Sequence, residues 1–228
     1  LLVPYSFINA SHSPGSLLKS IIPSTLKSWY LTSWYSGLNP VIRGIMKTAK
    51  EKNIASGVVG VNMNVENEAL NHRIQSFRDY MAKNAPEFEL TDTYYNGNVV
   101  ETAQSNAENV ISTYGDKLVG MYSGNNITGD GVCLAVASAG IGSKIVSVAV
   151  DSDDSEIEAL KAGNLNAIIV QDAYAQGYKC MENAILTLLE GKNPESKKQI
   201  NCPPVVINSE NMASEEMQDL LDPTRLKK

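Results

Sequence analysis

The chain has 228 residues, a formal net charge of −6 and an isoelectric point near 5.0. Its 43% hydrophobic and 19% charged residues are typical of a globular protein with one large or two small domains. The acidic balance argues against nucleic acid as a partner, because phosphate contacts need clustered Lys and Arg. No stretch approaches the roughly 20 apolar residues that span a bilayer, so no transmembrane segment is expected.

The first 40 residues are less regular than the rest. Leu1–Val3 is consistent with a strand, Leu17–Ile21 with a short helix, and Ser28–Tyr35 with an extended aromatic segment. The sequence starts without a Met or a signal peptide, so we interpret it as a fragment or a processed product.

From residue 54 onward, strand and helix patterns alternate. The predicted strands are Ser56–Met63, Glu87–Tyr94, Lys117–Met121, Lys144–Val150, Asn166–Val170 and Val205–Ile207. The predicted helices are 70–83, Val99–Tyr114, Thr128–Ala139, Ser155–Ala162, Tyr174–Leu189 and Ala213–Leu221. Strands joined by single helices indicate right-handed crossovers. The expected fold class is therefore α/β, with a parallel sheet flanked by helices.

Three of the predicted strands are followed by polar residues. Asn125, Asp151 and Gln171 stand just after the short apolar runs that end near residues 121, 150 and 170. In open parallel sheets the carboxyl ends of the strands line the ligand crevice. An amide, a carboxylate and a second amide are therefore expected to converge there. All three bind hydroxyls well, and none is a usual nucleophile or base.

Each of these residues also has a purely structural interpretation. Asn125 fits a turn, Asp151 a helix cap, and Gln171 the start of the next helix. Arg73 lies in the helix after the first predicted strand, where it can point toward the same crevice. Spacing alone favours a surface ion pair for Arg73 instead. Its acidic neighbours on that helix are Glu66, Glu68 and Asp79.

Enzyme motifs are missing from the sequence. The two histidines, His12 and His72, stand far from any Ser or Cys nucleophile motif. The Gly-rich run Ser123–Gly131 lacks the Lys-Ser/Thr of a phosphate loop. Gly57 and Gly60 lie inside a strand rather than after one, so a dinucleotide fingerprint fails as well. We expect a binding protein that uses no cofactor and is not an enzyme.

Cysteine usage indicates no metal site. Cys133, Cys180 and Cys202 form no CxxC motif and have no His nearby. Cys133 fits a small core residue. Cys180 and Cys202 are consistent with free thiols or, in an oxidising compartment, with a bridge.

Several separate segments, in order, resemble one family. The type I periplasmic sugar-binding proteins, the ribose-binding-protein-like receptors of ABC importers, are similar to this chain from about residue 54 to 211. The segments that carry the resemblance are Arg73-Ile-Gln-Ser-Phe77, Met121-Tyr-Ser-Gly-Asn-Asn126, Val148-Ala-Val-Asp151, Leu160-Lys-Ala-Gly163, Val170-Gln171 and Leu188-Leu-Glu-Gly-Lys192.

The resemblance implies a function and a set of site residues. It implies an extracytoplasmic protein, lipid-anchored in a Gram-positive host, that delivers a monosaccharide or related polyol to the membrane permease of an ABC importer. The alternatives are the effector domain of a lactose-repressor-type regulator, and an enzyme on the same fold. The residues at sugar-contacting positions are Arg73, Asn125, Asp151 and Gln171, with Tyr95 and Asn98 where the family often places a stacking aromatic.

The resemblance also implies two lobes that close around the ligand. Residues 1–32 and 172–196 would form a partial N-terminal lobe, and residues 33–171 and 197–228 the sugar-binding C-terminal lobe. Only about 30 residues precede the first expected crossing between the lobes, so the N-terminal lobe is expected to be truncated or altered. An apolar face of the helix Tyr174–Leu189 would then be exposed, and either reduced stability or association through this face is expected.

Overall fold

The computed structural model describes residue 50, residues 53–190 and residues 202–226. The strands are β1 (Gly57–Met63), β2 (Phe88–Tyr95), β3 (Leu118–Ser123), β4 (Val146–Val150), β5 (Ala167–Val170) and β6 (Val205–Asn208). The helices are α1 (Glu68–Asn84), α2 (Val100–Tyr114), α3 (Asn126–Ala139), α4 (Asp154–Ala162), α5 (Ala173–Glu190) and α6 (Glu215–Leu221). Short 3-10 helices cover Gly115–Lys117 and Pro223–Leu226. The predictions for Leu1–Val3, Leu17–Ile21 and Ser28–Tyr35 lie outside the described residues.

Within the described ranges, each predicted strand and helix is present, and its ends agree within two residues. Capping explains the largest differences. The side chain of Asn67 accepts a hydrogen bond from the backbone N–H of Leu70 at 2.8 Å, so α1 begins at Glu68. In the same way Asn125 caps α3, which starts two residues before the predicted Thr128.

The strands form one sheet in the order β2-β1-β3-β4-β5-β6. Each neighbouring pair from β2 to β5 is parallel, so the carboxyl ends of these five strands lie along one edge. The short strand β6 pairs antiparallel with β5, with Ile207 opposite Ile168. Its direction departs from the parallel expectation, since an apolar run predicts a strand but not the way it points. Such a mixed edge is common on otherwise parallel sheets.

Both faces of the sheet are covered, which explains why the strands β1, β3, β4 and β5 are mostly apolar. Alternate residues of β4 illustrate this: Val148 and Val150 pack in one cluster with Phe77 of α1. Ala149 packs in another, with Leu160 of α4. A strand whose side chains are buried on both sides loses the apolar/polar alternation of a half-exposed strand.

The contact between α2 and α3 depends on a glycine. A Cβ atom at position 131 would lie 2.7 Å from the carbonyl oxygen of Val100 and against the Cβ of Ala103. Both neighbours belong to the entry into α2 or to its first turns, so neither moves easily. Gly131 therefore permits the close approach of the two helices. Gly177 in α5 differs, because a Cβ atom there meets nothing within 4 Å.

These two helical glycines give a matched test. We expect Gly131→Ala to lower the free energy of unfolding by about 1–3 kcal/mol, because the methyl group overpacks the contact. Gly177→Ala should raise it by about 0.5–1 kcal/mol, because alanine favours the helix and meets no neighbour. Urea denaturation at low protein concentration measures both values. Equal effects of the two substitutions would contradict the packing explanation.

One carboxyl group is buried in the core. Glu156 of α4 is 0% exposed, and neither of its side-chain oxygens has a hydrogen-bond partner among the described residues. Its Oε1 lies against Gly129 of α3, where no side chain intervenes. Burial first, and then the charges of Asp153 and Asp130, raise the pKa of Glu156 from 4.5 to about 10. Burial and the charge of Asp153 also raise the pKa of Asp130 from 3.8 to about 7.

The buried Glu156 predicts a pH-dependent stability. The folded chain keeps a proton that the unfolded chain releases above its ordinary pKa of 4.5, so the free energy of unfolding falls as the pH rises from about 4.5 toward 10. Glu156→Gln should remove the part of this slope above about pH 7, where Asp130 has already ionised, and stabilise the protein at pH 8 by roughly 1–3 kcal/mol. Glu158→Gln, on the exposed side of α4, is the control and should leave the slope unchanged. Denaturant unfolding at a series of pH values measures both.

Other expectations from the sequence concern cysteines and membranes. Cys133 is buried in the core, as predicted, and the thiols of Cys180 and Cys202 are free rather than bridged. Among the described helices, none combines the length and the apolar character that crossing a membrane requires.

Candidate functional site

The candidate site lies at the edge of the sheet where β1 to β5 end. Asp151 follows β4 directly, and Gln171 follows β5. Arg73 reaches this edge from α1, the helix after β1. Since β4 and β5 are parallel neighbours, their carboxyl ends place Asp151 and Gln171 side by side.

Asp151 links the side chains of Arg73 and Gln171. The Nη1 group of Arg73 donates to Oδ2 of Asp151 at 3.0 Å, and Nε2 of Gln171 donates to Oδ1 at 2.5 Å. Each carboxylate oxygen therefore accepts one hydrogen bond from a different side chain. The side chain of Asp151 is 31% exposed, so part of the carboxylate still faces solvent. The sequence prediction that Asp151 and Gln171 converge at this edge is consistent with this arrangement.

The backbone of Asp151 holds this carboxylate in place. Its φ angle is +71°, in the left-handed region where Asp and Asn are among the few tolerated side chains. Its N–H donates to the carbonyl of Ile169 at 2.8 Å, which ties the residue to β5. Asp153, not Asp151, caps α4, by accepting from the N–H of Glu156 at 3.1 Å. The helix-cap interpretation of Asp151 is therefore wrong.

Arg73 points into the molecule rather than along its surface. Its side chain is 11% exposed, and its Nη1 also donates to the carbonyl oxygen of Gly124 at 2.9 Å. Spacing alone favoured a surface pair with acidic neighbours on its own helix, because sequence separation does not reveal a partner 78 positions away. Arg73 therefore connects α1, the end of β3 and the end of β4.

Asn125 lies one residue after the carbonyl that Arg73 binds, but its carboxamide oxygen serves α3. That oxygen accepts from the N–H of Thr128 at 3.2 Å and from its hydroxyl at 2.5 Å. Asn125 therefore caps α3, and it does so at the same edge of the sheet as the candidate site. Asn125 is 9% exposed and follows Gly124, whose carbonyl oxygen accepts from Arg73.

Tyr95 and Asn98 lie further along the same edge, at the last residue of β2 and three residues after it. The side chain of Asn98 accepts from Nδ2 of Asn64 at 2.8 Å, and its N–H donates to Oδ1 of Asn96 at 2.9 Å. Tyr95 is exposed at the end of β2, opposite Met63. Neither residue hydrogen-bonds to Arg73, Asp151 or Gln171 in the interactions that the structure shows, so the predicted site divides into two groups.

An amide network that the sequence analysis did not identify leads from Asn98 to Asn125, which follows the Gly124 carbonyl that Arg73 binds. Asn96 donates through Nδ2 to the hydroxyl of Thr128 at 2.7 Å, and Thr128 donates in turn to Asn125. The Oδ1 atoms of Asn62 and Asn64 are buried without a hydrogen-bond partner among the described residues. The signal in the sequence was the repeated Asn after β1 and β2, which any turn-rich segment also shows.

An aromatic pair packs beside the charged cluster. Phe77 and Tyr122 stack with ring centroids 4.1 Å apart and planes 5° from parallel. Burial raises the pKa of Tyr122 far above its ordinary value, the charge of Arg73 lowers it, and that of Asp151 raises it again. The Tyr122 phenol is therefore neutral and lies within electrostatic range of both charges. Phe77 and Tyr122 are each only 1% exposed, so the pair belongs to the core next to the site.

The arrangement is suited to binding polyhydroxy molecules. The charges of Arg73 and Asp151 offset each other, which favours a neutral guest over an ion. The carboxylate accepts from hydroxyls, whereas guanidinium and amide groups donate to ring or hydroxyl oxygens. In the described part of the chain, no three His, Cys, Asp or Glu side chains are placed to hold a metal ion.

The ion pair predicts a measurable coupling. In a double-mutant cycle with Arg73→Met and Asp151→Asn, the two effects on the free energy of unfolding should differ from additivity by about 1 kcal/mol. The value is modest because Asp151 is partly solvated. Lys83→Met in α1 replaces Arg73→Met in the control cycle and should be additive with Asp151→Asn. Additivity in both cycles would contradict the pairing.

Comparison with known proteins gives a match to one family and one fold. The family model of the periplasmic binding protein domain matches residues 40–193, more than half of the chain. A carbohydrate transporter solute-binding protein of Agrobacterium radiobacter, in complex with D-arabinose, is 22% identical with a TM-score of 0.72 over 85% of this chain. An ABC transporter solute-binding protein of Agrobacterium vitis, bound with alpha-D-tagatopyranose, is 26% identical with a TM-score of 0.66 over 79%.

A further solute-binding protein of Agrobacterium vitis, with bound D-fucose, is 22% identical with a TM-score of 0.67 over 84% of this chain. The chain spans 63%, 60% and 62% of the lengths of these three proteins, respectively. The resemblance in fold therefore extends over most of this chain but over less than two thirds of each of the others.

Proposed function

The chain belongs to the periplasmic binding protein family, and we propose that its site binds a neutral monosaccharide or a related polyol. The observation that carries this proposal is the cluster of Arg73, Asp151 and Gln171 at the carboxyl edge of the sheet. It presents charge-assisted hydrogen-bond partners with no net charge, which is the chemistry that vicinal hydroxyl groups require.

The solved structures support the same class of ligand. The three described above were determined with D-arabinose, alpha-D-tagatopyranose and D-fucose, which are all uncharged sugars. They are described as transport proteins, and no observation favours the alternative of a repressor effector domain. We therefore propose a binding role rather than catalysis for this chain.

The mechanism we propose is closure of two lobes around the sugar. Residues 1–32 and 172–196 would contribute to one lobe, and residues 33–171 and 197–228 to the other. Gln171 would then stand at the boundary, with its amide on Asp151. A ligand that contacts both lobes stabilises the closed form by its differential affinity for it.

The same proposal includes a partner and a location. The loaded protein would deliver its sugar to the membrane permease of an ABC importer outside the cytoplasm, held by a lipid anchor if the host is Gram-positive. Asn125, Tyr95 and Asn98 would complete the sugar contacts along the amide network. That network places Asn98 at the far end, beyond Asn96 and Thr128.

The experiment is calorimetry of the 228-residue chain with D-arabinose, D-fucose, D-tagatose and the acids of the first two sugars. We expect binding of at least one neutral sugar and weaker binding of the acids. Asp151→Asn should weaken it by roughly 10- to 100-fold, because a charge-assisted hydrogen bond contributes about 1.5–3 kcal/mol. Asparagine also tolerates the left-handed backbone at this position.

Asp154→Asn is the matched control, because it removes the same charge from an exposed position three residues away. It should leave the affinity unchanged. Equal affinities of the Asp151→Asn variant and the unaltered chain would show that the sugar binds elsewhere. Tighter binding of the acids than of the neutral sugars would refute the proposed ligand class.

A further inference from the structure

Three carboxyl groups meet where α3 packs against α4. Asp130 lies in α3, Asp153 caps α4, and Glu156 belongs to the first turn of α4. The carboxyl group of Asp130 donates a hydrogen bond to the carboxylate of Asp153, and Oδ1 of Asp130 is buried without a partner among the described residues. Within the same part of the chain, no Lys or Arg forms a salt bridge with any of the three. Two carboxylates this close repel each other, so one of them keeps a proton.

The surroundings decide which group changes its charge. Burial and the neighbouring Asp153 raise the pKa of Asp130 from 3.8 to about 7, whereas a hydrogen bond with Ser155 lowers it. Burial raises the pKa of Glu156 to about 10, and burial also raises the pKa of the Cys133 thiol. In the described structure, the other elements packed on α3, which are α2, β3 and β4, present no charged group that acts on Asp130. Of Asp130, Cys133 and Glu156, only Asp130 therefore changes its charge near neutral pH.

The carboxylate of Asp153 also ties two loops together. Its Oδ2 accepts a hydrogen bond from Nδ2 of Asn126 at 3.4 Å. Asn126 follows the loop after β3, and Asp153 lies in the loop after β4. The same two loops are joined by Arg73, which donates to the carbonyl oxygen of Gly124 and to Asp151. Each loop is therefore fastened at the candidate site and again two residues further along the chain.

We propose that a proton on Asp130, donated to Asp153, holds these two loops together, and that loss of this proton as the pH rises loosens them. With the proton present, the pair is a hydrogen bond between an acid and a carboxylate, which is short and strong. Without it, two negative charges face each other beside the buried Glu156. The repulsion is relieved when the start of α4 moves away from α3, and the bond from Asn126 to Asp153 is then lost.

The direction of the pH dependence follows from where the proton is bound. In the fastened state Asp130 keeps its proton up to about pH 7, whereas in a loosened, solvated state it releases the proton above its ordinary pKa of 3.8. The free energy of loosening therefore falls as the pH rises through this range and is constant above it. Glu156 acts over a wider range, since its pKa is about 10. The pH at which the change ends therefore separates the two groups.

The test is hydrogen exchange of the 228-residue chain, followed at the backbone amide of Glu156, which donates to Oδ1 of Asp153 at 3.1 Å. Corrected for the intrinsic exchange rate, its protection should fall at least roughly tenfold as the pH rises from about 5 to about 7. Low concentrations of urea should leave this exchange unchanged, because a local opening exposes little surface. Carbon-13 NMR of the Asp130 carboxyl should give a midpoint at about pH 7.

Variants isolate the contribution of Asp130. In Glu156→Gln the fall in protection should end at about pH 7, because Asp130 still titrates there. Adding Asp130→Asn, whose amide still donates to Asp153 but cannot ionise, should make the protection independent of pH. Asp130→Ser in the same background is the second replacement and should give the same result. Asp154→Asn, at the exposed start of α4, is the control and should keep the pH dependence of the unaltered chain.

An Asp130 midpoint near its ordinary pKa of 3.8 would overturn the proposal. So would protection that falls equally with and without Asp130→Asn, or exchange that follows global unfolding in urea.

The effect on ligand binding rests on the proposed function. Because the two loops hold the partners of Arg73, calorimetry should show at least roughly threefold weaker sugar binding at about pH 8 than at about pH 5. With Asp130→Asn the two affinities should be equal. Sugar affinity that is the same at both pH values in the unaltered chain would overturn the link between the proton and the site. If none of the sugars binds at any pH, the proposed function is wrong, and the exchange measurements alone decide on the proton.

Discussion

The ion pair between Arg73 and Asp151 is the interaction on which the candidate site depends. It spans 78 positions of the sequence and needs three elements in register: α1 to carry the guanidinium, β3 to end at the Gly124 carbonyl, and β4 to deliver the carboxylate. Gln171 can meet Asp151 only because β5 is the parallel neighbour of β4. A shift of either strand would separate these groups. The order and register of the strands therefore determine whether the polar groups at this edge can meet.

The sequence predicted the elements well because their signals are local. Apolar runs, helical stripes and stop signals such as Gly140 and Gly163 are read within a few residues, and both glycines do end helices in the left-handed conformation. The direction of β6 was not accessible in this way, since it depends on pairing with β5. The expectations for residues 1–49 fall outside the described structure and stay predictions.

The site was predicted in part, for a related reason. Polar residues at strand ends identify Asp151 and Gln171, because parallel strands gather their ends at one edge. The role of Arg73 was indicated only by the resemblance. In the sequence its nearest acidic residues lie on its own helix, whereas its partner Asp151 comes close only in the folded chain. The network of Asn96, Thr128 and Asn125 joins two loops and a helix cap, and no periodic pattern marks such a combination. The burial of Glu156 was hidden by its place in an acidic helix start.

The backbone of Asp151 has a consequence for which residues this position can accept. Two independent demands meet there: a left-handed φ of +71° and a negative group between Arg73 and Gln171. Glycine and asparagine satisfy the first demand only, and glutamate satisfies the charge but has a longer side chain that rarely adopts this backbone. Among the twenty amino acids, aspartate alone meets both. Each substitution at this position therefore either loses the negative charge or strains the backbone.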